Sequence, residues 1–320
     1  MELDTTIQES VIQRFRDVFG DKLQLNVPLS RFTSARVGGP AELFLTVHSG
    51  TELQTAVEMA YAQHLPYFIL GGGSNILVAD AGVRGLVIMN RAKSVTFRHS
   101  GVGVVCTVES GMNLSSLARQ CIGKGLGGLE WAIGIPGTVG GAVVGNSGAH
   151  GGDMSQILRA VSVWEPGRGM RIYGNEEMEY SYRNSILKRE QDKFRPRRVV
   201  ISAELVLTPE PADVLLARAD AFTARRKQTQ PGGASMGSMF KNPENYYAGY
   251  LIDTAGLKGF KVGGASISEK HANFFVNSEE ATAEDIRTLI AEAWNVVREK
   301  FGVEMELEVE LVGKWQFEEE

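Results

Sequence analysis

The stretch from Gly123 to Gly152 holds 12 of the chain's 37 glycines, and this density constrains the fold more than any other feature. Glycine loses the most conformational entropy on folding, so such a density is expected where backbones approach closely or adopt positive φ. Within it, Ile135–Gly141 (IPGTVGG) offers backbone N–H groups and one hydroxyl but no charge. Successive amides of this kind can hold phosphate or carboxylate oxygens, whereas a tight crossing of two chain segments would also require glycine. The pattern alone leaves both interpretations open.

Length and composition indicate a globular protein with two domains or one large one. The chain has 320 residues and a formal net charge of −5, which argues against nucleic acid as its main partner. No apolar run approaches the ~20 residues of a membrane-spanning helix, and the acidic start MELDTTIQES is not typical of a secretory signal, so no membrane insertion is expected. The two cysteines, Cys106 and Cys121, are too few for a disulfide framework and do not have the spacing of a zinc site. They are consistent with a reducing cytoplasm.

Hydrophobic periodicity and turn residues predict a mixed α+β chain. Helices are predicted at 6–19, 51–64, 113–123, 213–227, 246–254 and 282–301. Strands are predicted at 22–25, 42–47, 67–70, 76–78, 86–89, 95–98, 102–108, 160–164 paired with 170–173, 199–207, 273–276 and 304–312. Residues 230–238 are predicted to form a loop, and the Pro-rich Thr208–Pro211 indicates a domain boundary.

A second glycine turn, Gly71–Asn75 (GGGSN), directly follows a predicted strand. No Gly-Lys-Ser/Thr follows it and no helix starts there, so it is neither a Walker loop nor a dinucleotide fingerprint of the Rossmann type. A glycine hairpin that binds nothing is the alternative. Two such turns, each beside a strand, nevertheless suggest a ligand with several phosphates, such as a dinucleotide.

Six segments in a fixed order resemble those of UDP-N-acetylenolpyruvoylglucosamine reductases, flavoenzymes of bacterial cell-wall precursor synthesis. The resemblance extends over roughly residues 32–313, and no tyrosine-bearing insertion follows Thr208, so the chain is similar to the shorter class of this family. The segments are Tyr67–Val78 (YFILGGGSNILV), Gly134–Gly152 (GIPGTVGGAVVGNSGAHGG), Tyr182–Lys188 (YRNSILK), Gly237–Pro243 (GSMFKNP), Ala255–Gly264 (AGLKGFKVGG) and Leu307–Gly313 (LEVELVG).

This resemblance implies an FAD-binding fold of the vanillyl-alcohol oxidase type, built from two α+β subdomains, and a smaller α+β substrate domain. The implied boundaries are 1–208 for the FAD-binding domain, with subdomains at about 22–80 and 81–208, and 209–320 for the substrate domain. Its last strand, at about 303–313, would carry an active-site glutamate. The resemblance also implies non-covalent FAD, NADPH as hydride donor, a UDP-sugar enolpyruvyl ether as substrate, no metal, and a monomer in the cytoplasm.

Specific residues carry these implied ligand contacts. Neutral amides of the two glycine turns would bracket the FAD diphosphate, with hydroxyl and amide side chains adding donors, and a later turn would lie near the flavin. The implied cofactor contacts are Gly71, Gly72, Gly73, Ser74, Asn75, Pro136, Gly137, Thr138, Gly140, Gly141, Asn146 and Gly148. The implied substrate contacts are Tyr182, Arg226, Lys241, Asn242 and His271, although each is also readily interpreted as a solvated polar residue.

Three residues are candidates for catalysis. Arg183 can hold a carboxylate with its planar guanidinium and stabilise charge that spreads into that carboxylate. Ser238 matches the family's proton-donating serine, a role that requires its hydroxyl to be held against the reacting carbon. Glu308 matches a glutamate that helps stabilise the intermediate and needs a raised pKa, for which crowding by neighbouring glutamates is one route. The alternatives are a surface arginine, a turn serine and a solvated face of Glu304, Glu306, Glu308 and Glu310.

Two features receive no firm role. The basic run Lys188–Arg198 is predicted to be an exposed loop, with contact to an NADPH phosphate as a remote alternative. His150 stands where the family commonly has tyrosine. Two other functions stay open at this stage: an FAD-dependent oxidase or dehydrogenase of a small alcohol or hydroxy acid on the same fold, and a non-enzymatic nucleotide-binding module.

Overall fold

The computed structural model describes residues 7–101, 103–189 and 197–315. Within these ranges helices and strands alternate irregularly, so the chain is α+β as predicted. Three units, each built on its own sheet, follow one another along the sequence.

The first unit is a four-stranded sheet covered by two helices. Its elements are α1 (Glu9–Phe19), β1 (Leu23–Pro28), β2 (Pro40–Val47), α2 (Gly50–Ala62), β3 (Tyr67–Leu70), β4 (Ile76–Val78) and β5 (Val83–Asn90). The strand order is β1-β2-β5-β3, with β1 antiparallel to β2 and the other neighbours parallel. The helix α2 begins where the Ser49 hydroxyl accepts a hydrogen bond from the backbone N–H of Glu52 at 3.1 Å. Phe15 and Leu53 attach the two helices to the sheet through one buried cluster.

The second unit is a larger antiparallel sheet. Its elements are β6 (Val95–Ser100), β7 (Gly103–Glu109), α3 (Leu114–Gly123), β8 (Leu126–Gly127), α4 (Val139–Gly145), β9 (Gly148–Ala149), β10 (Gly152–Asp153), β11 (Leu158–Glu165), β12 (Gly169–Gly174), α5 (Ile186–Arg189) and β13 (Val199–Pro209). The strand order is β12-β11-β13-β7-β6, with β8 on the end of β13. The predicted hairpin is present as β11–β12. Leu117, Val143 and Leu205 are fully buried between this sheet and the helices α3 and α4.

The third unit contains a small sheet and the longest helices. Its elements are α6 (Ala212–Thr229), β14 (Ala234–Ser238), α7 (Ala248–Thr254), β15 (Lys261–Val262), β16 (Ala265–Ile267), β17 (Phe274–Asn277), α8 (Ala283–Phe301) and β18 (Glu310–Val312). The sheet order is β14-β17-β16-β15. A capping box formed by Thr282 and Asp285 starts α8. Leu215 and Ala219 of α6 pack into the core of the second unit, so this helix joins the two units.

Hydrogen bonds between distant segments hold the first and third units together. The strand β18 pairs in parallel with β4, aligning Glu310 with Ile76. The carboxylate of Asp80 accepts hydrogen bonds from the backbone N–H groups of Ala283 and Glu284, at 3.0 Å each, at the start of α8. These contacts fix the relative position of the segments that enclose the space between the units.

Two predicted elements differ in the structure. The predicted loop at 230–238 contains β14, because its partner β17 lies far along the chain and supplies the hydrogen bonds. The predicted strand at 304–312 is regular only over Glu310–Val312, and before it Leu307 makes a single bridge to Phe240. Among the described helices, none is long and apolar enough to cross a membrane.

Candidate active site

A cavity of about 370 Å³ lies where the three units meet. Its walls combine both glycine turns with the helix α4, the end of β14 and the segment before β18. Arg183 from the second unit and Ser238 and Glu308 from the third unit all line it. The sequence predicted these three residues as the catalytic candidates, and the fold brings them to one place.

The two glycine turns form one continuous wall because their backbones touch. A Cβ added to Gly72 would lie 2.7 Å from the Cα of Gly137, and one added to Gly71 would lie 2.6 Å from Oγ1 of Thr138. Real Cβ atoms do not approach other atoms this closely, so these positions require glycine. The tight crossing of two chain segments is therefore present, and it builds a wall of the cavity.

Several backbone N–H groups on this wall are free to bind a ligand. Within the part of the chain that the structure describes, the amides of Gly72, Gly73, Ser74 and Thr138 donate to no other residue. A backbone N–H group without a hydrogen-bond partner costs free energy once it is buried or covered by a ligand. These four groups therefore indicate that a ligand supplies the hydrogen-bond acceptor.

Two of the implied cofactor contacts are placed differently from expectation. The backbone N–H of Gly140 already donates to the carbonyl oxygen of Ser110 at 2.8 Å, so it offers no amide to a ligand. The side chain of Asn146 is buried and does not line the cavity; its amide donates to the carbonyl oxygen of Ser181 at 3.1 Å, and its oxygen accepts from the N–H of Ser155 at 3.0 Å. Asn146 therefore holds the loop that leads to Arg183.

Arg183 lies in a left-handed turn with φ of 55°, an uncommon conformation for a residue other than glycine. Ser181 and Asn184 close this turn by bridging to each other, and Nζ of Lys188 donates to the carbonyl oxygen of Arg183 at 3.2 Å. Strained backbone of this kind persists only where the surroundings enforce it, and it is concentrated at functional sites. The turn directs the guanidinium to Glu308, with 2.8 Å between Nε and Oε1.

Ser238 reaches the cavity because β14 contains a β-bulge between Ser235 and Ser238. Gly237 sits in the bulge with φ of 80°, and an added Cβ there would have open space around it. Met236 and Met239, on either side, are buried in the core of the third unit. A bulge can turn a side chain out of the regular alternation of a strand, and here the serine is presented to the cavity.

Glu308 is nearly buried, with 12% of its side chain exposed. Burial raises the pKa of Glu308 above its usual range, while the charges of Arg183, Lys188 and Lys241 partly oppose this effect. Crowding by glutamates is not the cause, because Glu306 is 73% exposed and pairs with Lys241. Glu308 therefore has the raised pKa that its role in the resembled family implies, but the cause is burial of the carboxyl.

Comparisons with known proteins identify the family. Residues 228–312 match the family model for the C-terminal domain of UDP-N-acetylenolpyruvoylglucosamine reductase, and residues 41–171 match that for an FAD binding domain. The chain is 38% identical over 309 residues to UDP-N-acetylenolpyruvoylglucosamine reductase of Caldanaerobacter subterraneus, spanning 96% of this chain and 99% of that relative. The chain belongs to the UDP-N-acetylenolpyruvoylglucosamine reductase family. A second relative, UDP-N-acetylenolpyruvoylglucosamine reductase 2 of Symbiobacterium thermophilum, is 42% identical over 307 residues, 94% of this chain and 96% of that one.

Solved structures agree with this membership. The UDP-N-acetylenolpyruvylglucosamine reductase of Thermus caldophilus superposes with a TM-score of 0.74 at 37% identity, spanning 91% of this chain and 98% of that one. A vanillyl-alcohol-oxidase-type flavoprotein of Myceliophthora thermophila shares only 10% identity but gives a TM-score of 0.57 over 93% of this chain and 87% of its own. The predicted fold is confirmed, and the chain is an FAD-dependent oxidoreductase of the reductase family.

The free amides of the cavity wall fit the diphosphate of FAD. They are neutral donors in a protein of net charge −5, so they can hold an anion without a basic surface. Ser147, Gly148 and Ala149 also line the cavity, and an added Cβ at Gly145 would meet nothing within 4 Å.

Of the five implied substrate contacts, only Arg226 lines the cavity. Its guanidinium lies beside Gly134 and has no acidic partner among the described residues, and burial lowers its pKa. Asn242 accepts from the N–H of Ala248 at 3.1 Å at the start of α7, and Nδ1 of His271 accepts from the N–H of Asn273 at 3.2 Å. Lys241 pairs with Glu306, and Tyr182 is 56% exposed.

The prediction of an exposed basic loop at 188–198 is wrong at its ends. Lys188, Arg197 and Arg198 line the cavity, and residues 190–196 lie outside the described ranges. Arg197 pairs with Glu310 and stacks over the ring of Phe68, with 5.3 Å from its Cζ to the ring centroid. The sequence offered one signal, since Arg197 and Arg198 directly precede the strand predicted at 199–207.

His150 anchors the turn that follows α4. Its ring stacks on that of Phe222 in α6, with centroids 4.4 Å apart and an interplanar angle of 3°. Burial and the charges of Arg225 and Arg226 lower the pKa of His150. The stacking therefore ties the third unit to a turn that lines the cavity.

The raised pKa of Glu308 predicts how stability depends on pH. The folded chain holds this proton more tightly than the unfolded chain, so the contribution of Glu308 to stability is present below the unfolded pKa of about 4.3 and is lost as the pH rises through the folded pKa. Relative to wild type, Glu308→Gln should therefore gain unfolding free energy as the pH rises above the unfolded pKa and through the folded pKa of Glu308.

Urea unfolding at a series of pH values measures this difference. Glu306→Gln on the same segment is the matched control for the loss of one carboxylate, because its side chain is exposed. If the unfolding free energy of Glu308→Gln instead falls relative to wild type as the pH rises, burial is not the main influence on the pKa of Glu308.

Proposed function

We propose that the chain reduces the enolpyruvyl ether of UDP-N-acetylglucosamine enolpyruvate to UDP-N-acetylmuramate in peptidoglycan precursor synthesis, with NADPH as hydride donor. One observation carries the proposal: Arg183, Ser238 and Glu308 line the same cavity as the free backbone N–H groups of the two glycine turns. Membership of the reductase family supports the substrate, and the geometry supports the assignment of roles.

When bound, FAD would accept a hydride from NADPH and supply it to the methylene carbon of the enolpyruvyl group. Gly72, Gly73, Ser74 and Thr138 would hold its diphosphate through their backbone N–H groups. Because these donors are fixed by the crossing of two backbones, little reorganisation accompanies binding.

Arg183 would hold the substrate carboxylate. Addition of a hydride leaves an electron pair on the carbon that bears this carboxylate, and the charge spreads into its oxygens. A guanidinium held in a fixed turn stabilises that charge as it forms. Arg183 can do so because its partner Glu308 has a raised pKa and gives up its negative charge more readily than an exposed glutamate.

Ser238 would donate its proton to that carbon, which completes the reduction of the double bond. A hydroxyl is a weak acid, so its proton leaves readily only toward a strongly basic carbon held against it. Glu308, on the same wall, is a nearby carboxyl that can share or return the proton, and its raised pKa suits this role.

The domain boundary at residue 208, the substrate contact of Arg226, and a monomeric, cytoplasmic protein belong to the same proposal. Arg226 lines the cavity on α6 and can take an anionic group. Both cysteines, Cys106 and Cys121, are free and buried, which suits a reducing compartment.

Spectroscopy and turnover test the proposed function. The purified protein is expected to show the absorption spectrum of bound FAD and to oxidise NADPH rapidly only when the enolpyruvyl sugar nucleotide is present. Oxygen-driven turnover of a small alcohol or hydroxy acid, without reduction of the sugar nucleotide, would instead identify an oxidase on the same fold. A folded protein that binds no flavin would contradict both.

A further inference from the structure

Asn75, the last residue of the GGGSN turn, reaches the segment that carries Glu308. Its side-chain Nδ2 donates to the backbone carbonyl oxygen of Glu308 at 2.9 Å. Its own carbonyl oxygen accepts from the backbone N–H of Glu310 at 3.0 Å. Two hydrogen bonds thus connect one residue of the glycine turn to the backbone on both sides of Val309.

The opposite side of this segment is attached to the strand of Ser238. The backbone N–H of Glu308 donates to the carbonyl oxygen of Met239 at 2.9 Å, and Met239 directly follows Ser238. The main chain of Glu308 is therefore held between the glycine turn and the serine strand. Neither attachment uses the carboxylate, which remains free to face Arg183 in the cavity.

We propose that Asn75 is a positioning residue for Glu308, and that its side chain is not a ligand of the FAD diphosphate. This inference rests on the proposed function and differs from the direct cofactor contact that the turn suggested. Gly72, Gly73 and Ser74 of the same turn offer backbone N–H groups to the cavity, whereas the Asn75 side chain is bonded to the backbone of Glu308. Asn75 therefore connects the glycine turn to the backbone of Glu308, which carries the candidate catalytic carboxyl.

Loss of the hydrogen bond from Asn75 should disturb Glu308 more than the energy of one hydrogen bond suggests. Without the Asn75 amide, the peptide group between Glu308 and Val309 can rotate, because β18 begins only at Glu310. Rotation would displace the carboxylate relative to Arg183, now 2.8 Å away, and admit water to a side chain that is 12% exposed. A displacement of about 1 Å in a catalytic group can cost roughly 10²-fold in rate.

The test compares Asn75→Ala with Asn277→Ala, a matched loss of an asparagine amide away from the cavity. Nδ2 of Asn277 also donates to the backbone carbonyl oxygen of a distant segment, at Ala35 and 3.0 Å, but Asn277 is not among the residues that line the cavity. For Asn75→Ala we expect unchanged FAD affinity and unchanged flavin reduction by NADPH, with transfer to the enolpyruvyl group slowed about 10-fold to 10²-fold. Its pH profile for that transfer should shift, since the environment of Glu308 changes. Asn277→Ala should not shift this profile.

Hydrogen exchange gives a readout that does not depend on turnover. The amides at 307–310 should exchange faster in Asn75→Ala than in wild type, and Asn75→Asp, which lacks the donor but keeps the size, should behave similarly. A weaker affinity for FAD with an unchanged pH profile and unchanged exchange would overturn the proposal and make Asn75 a cofactor ligand. If wild type fails to reduce the sugar nucleotide, the proposed function fails, while hydrogen exchange and FAD affinity still decide the role of Asn75.

Discussion

Replacement of Ser238 by alanine should leave the reduction of flavin by NADPH almost unchanged and slow the transfer to the enolpyruvyl group by at least about 10²-fold. The two half-reactions separate because only the second one needs a proton at carbon. Ser238 is turned toward the cavity by the bulge at Gly237, and the backbone of β14 does not depend on its hydroxyl. Anaerobic stopped-flow absorbance of the flavin measures both steps in one protein.

Ser235→Ala is the matched control for this variant. Ser235 lies on the same strand before the bulge, is aligned with Val276, and does not line the cavity. It should retain wild-type rates in both half-reactions. Equal losses in both half-reactions of Ser238→Ala would remove Ser238 from the role of proton donor.

Replacement of Arg183 by methionine should slow the same transfer by about 10²-fold to 10³-fold, as does the loss of a preorganised donor to developing negative charge. The variant loses the group that holds the substrate carboxylate, and it also loses the cation that lies 2.8 Å from Glu308. The pKa of Glu308 should therefore rise further, because burial would be opposed only by Lys188 and Lys241. Single-turnover rates over a range of pH values measure both effects.

Arg189→Met provides the control, since Arg189 is on the adjacent helix α5 and pairs with Glu179 away from the cavity. It should leave the transfer rate unchanged. Because Arg183 and Glu308 are in contact, the losses in Arg183→Met and Glu308→Gln should not add in the double variant. Full additivity would show that the two residues act separately.

The sequence predicted those parts of the site that depend on local chemistry. The glycines of GGGSN and IPGTVGG marked a wall that only glycine can form, and the structure shows their backbones in contact. The helix predicted at 282–301 begins after Thr282 as its N-cap, and the strands predicted at 160–164 and 170–173 pair in the hairpin β11–β12. In each case a few neighbouring residues determine the conformation, so their pattern is sufficient.

The parts that sequence reasoning missed depend on partners far along the chain. The pairing of β4 with β18 joins residues more than two hundred positions apart, and the bond from Asn75 to Glu308 follows from that register. Periodicity suggested one solvated face for the glutamates from Glu304 to Glu310. Instead, each of Glu306, Glu308 and Glu310 meets a different cation, because the segment is not a regular strand before Glu310.

The basic run shows the same limit. A high density of lysine and arginine is typical of an exposed loop. Lys188 and Arg197 instead line the cavity. Lys188 donates to the backbone carbonyl oxygen of Arg183, and Arg197 pairs with Glu310, and both partners lie outside the basic run.

A crystal structure of the protein with FAD and UDP-N-acetylmuramate tests the central claim most directly. We predict that the FAD diphosphate accepts hydrogen bonds from the amides of Gly72, Gly73, Ser74 and Thr138. The lactyl carboxylate should lie on the guanidinium of Arg183, and the Ser238 hydroxyl should face the ether carbon. A product bound away from Arg183 and Ser238, or a diphosphate outside the wall of glycine turns, would contradict the account.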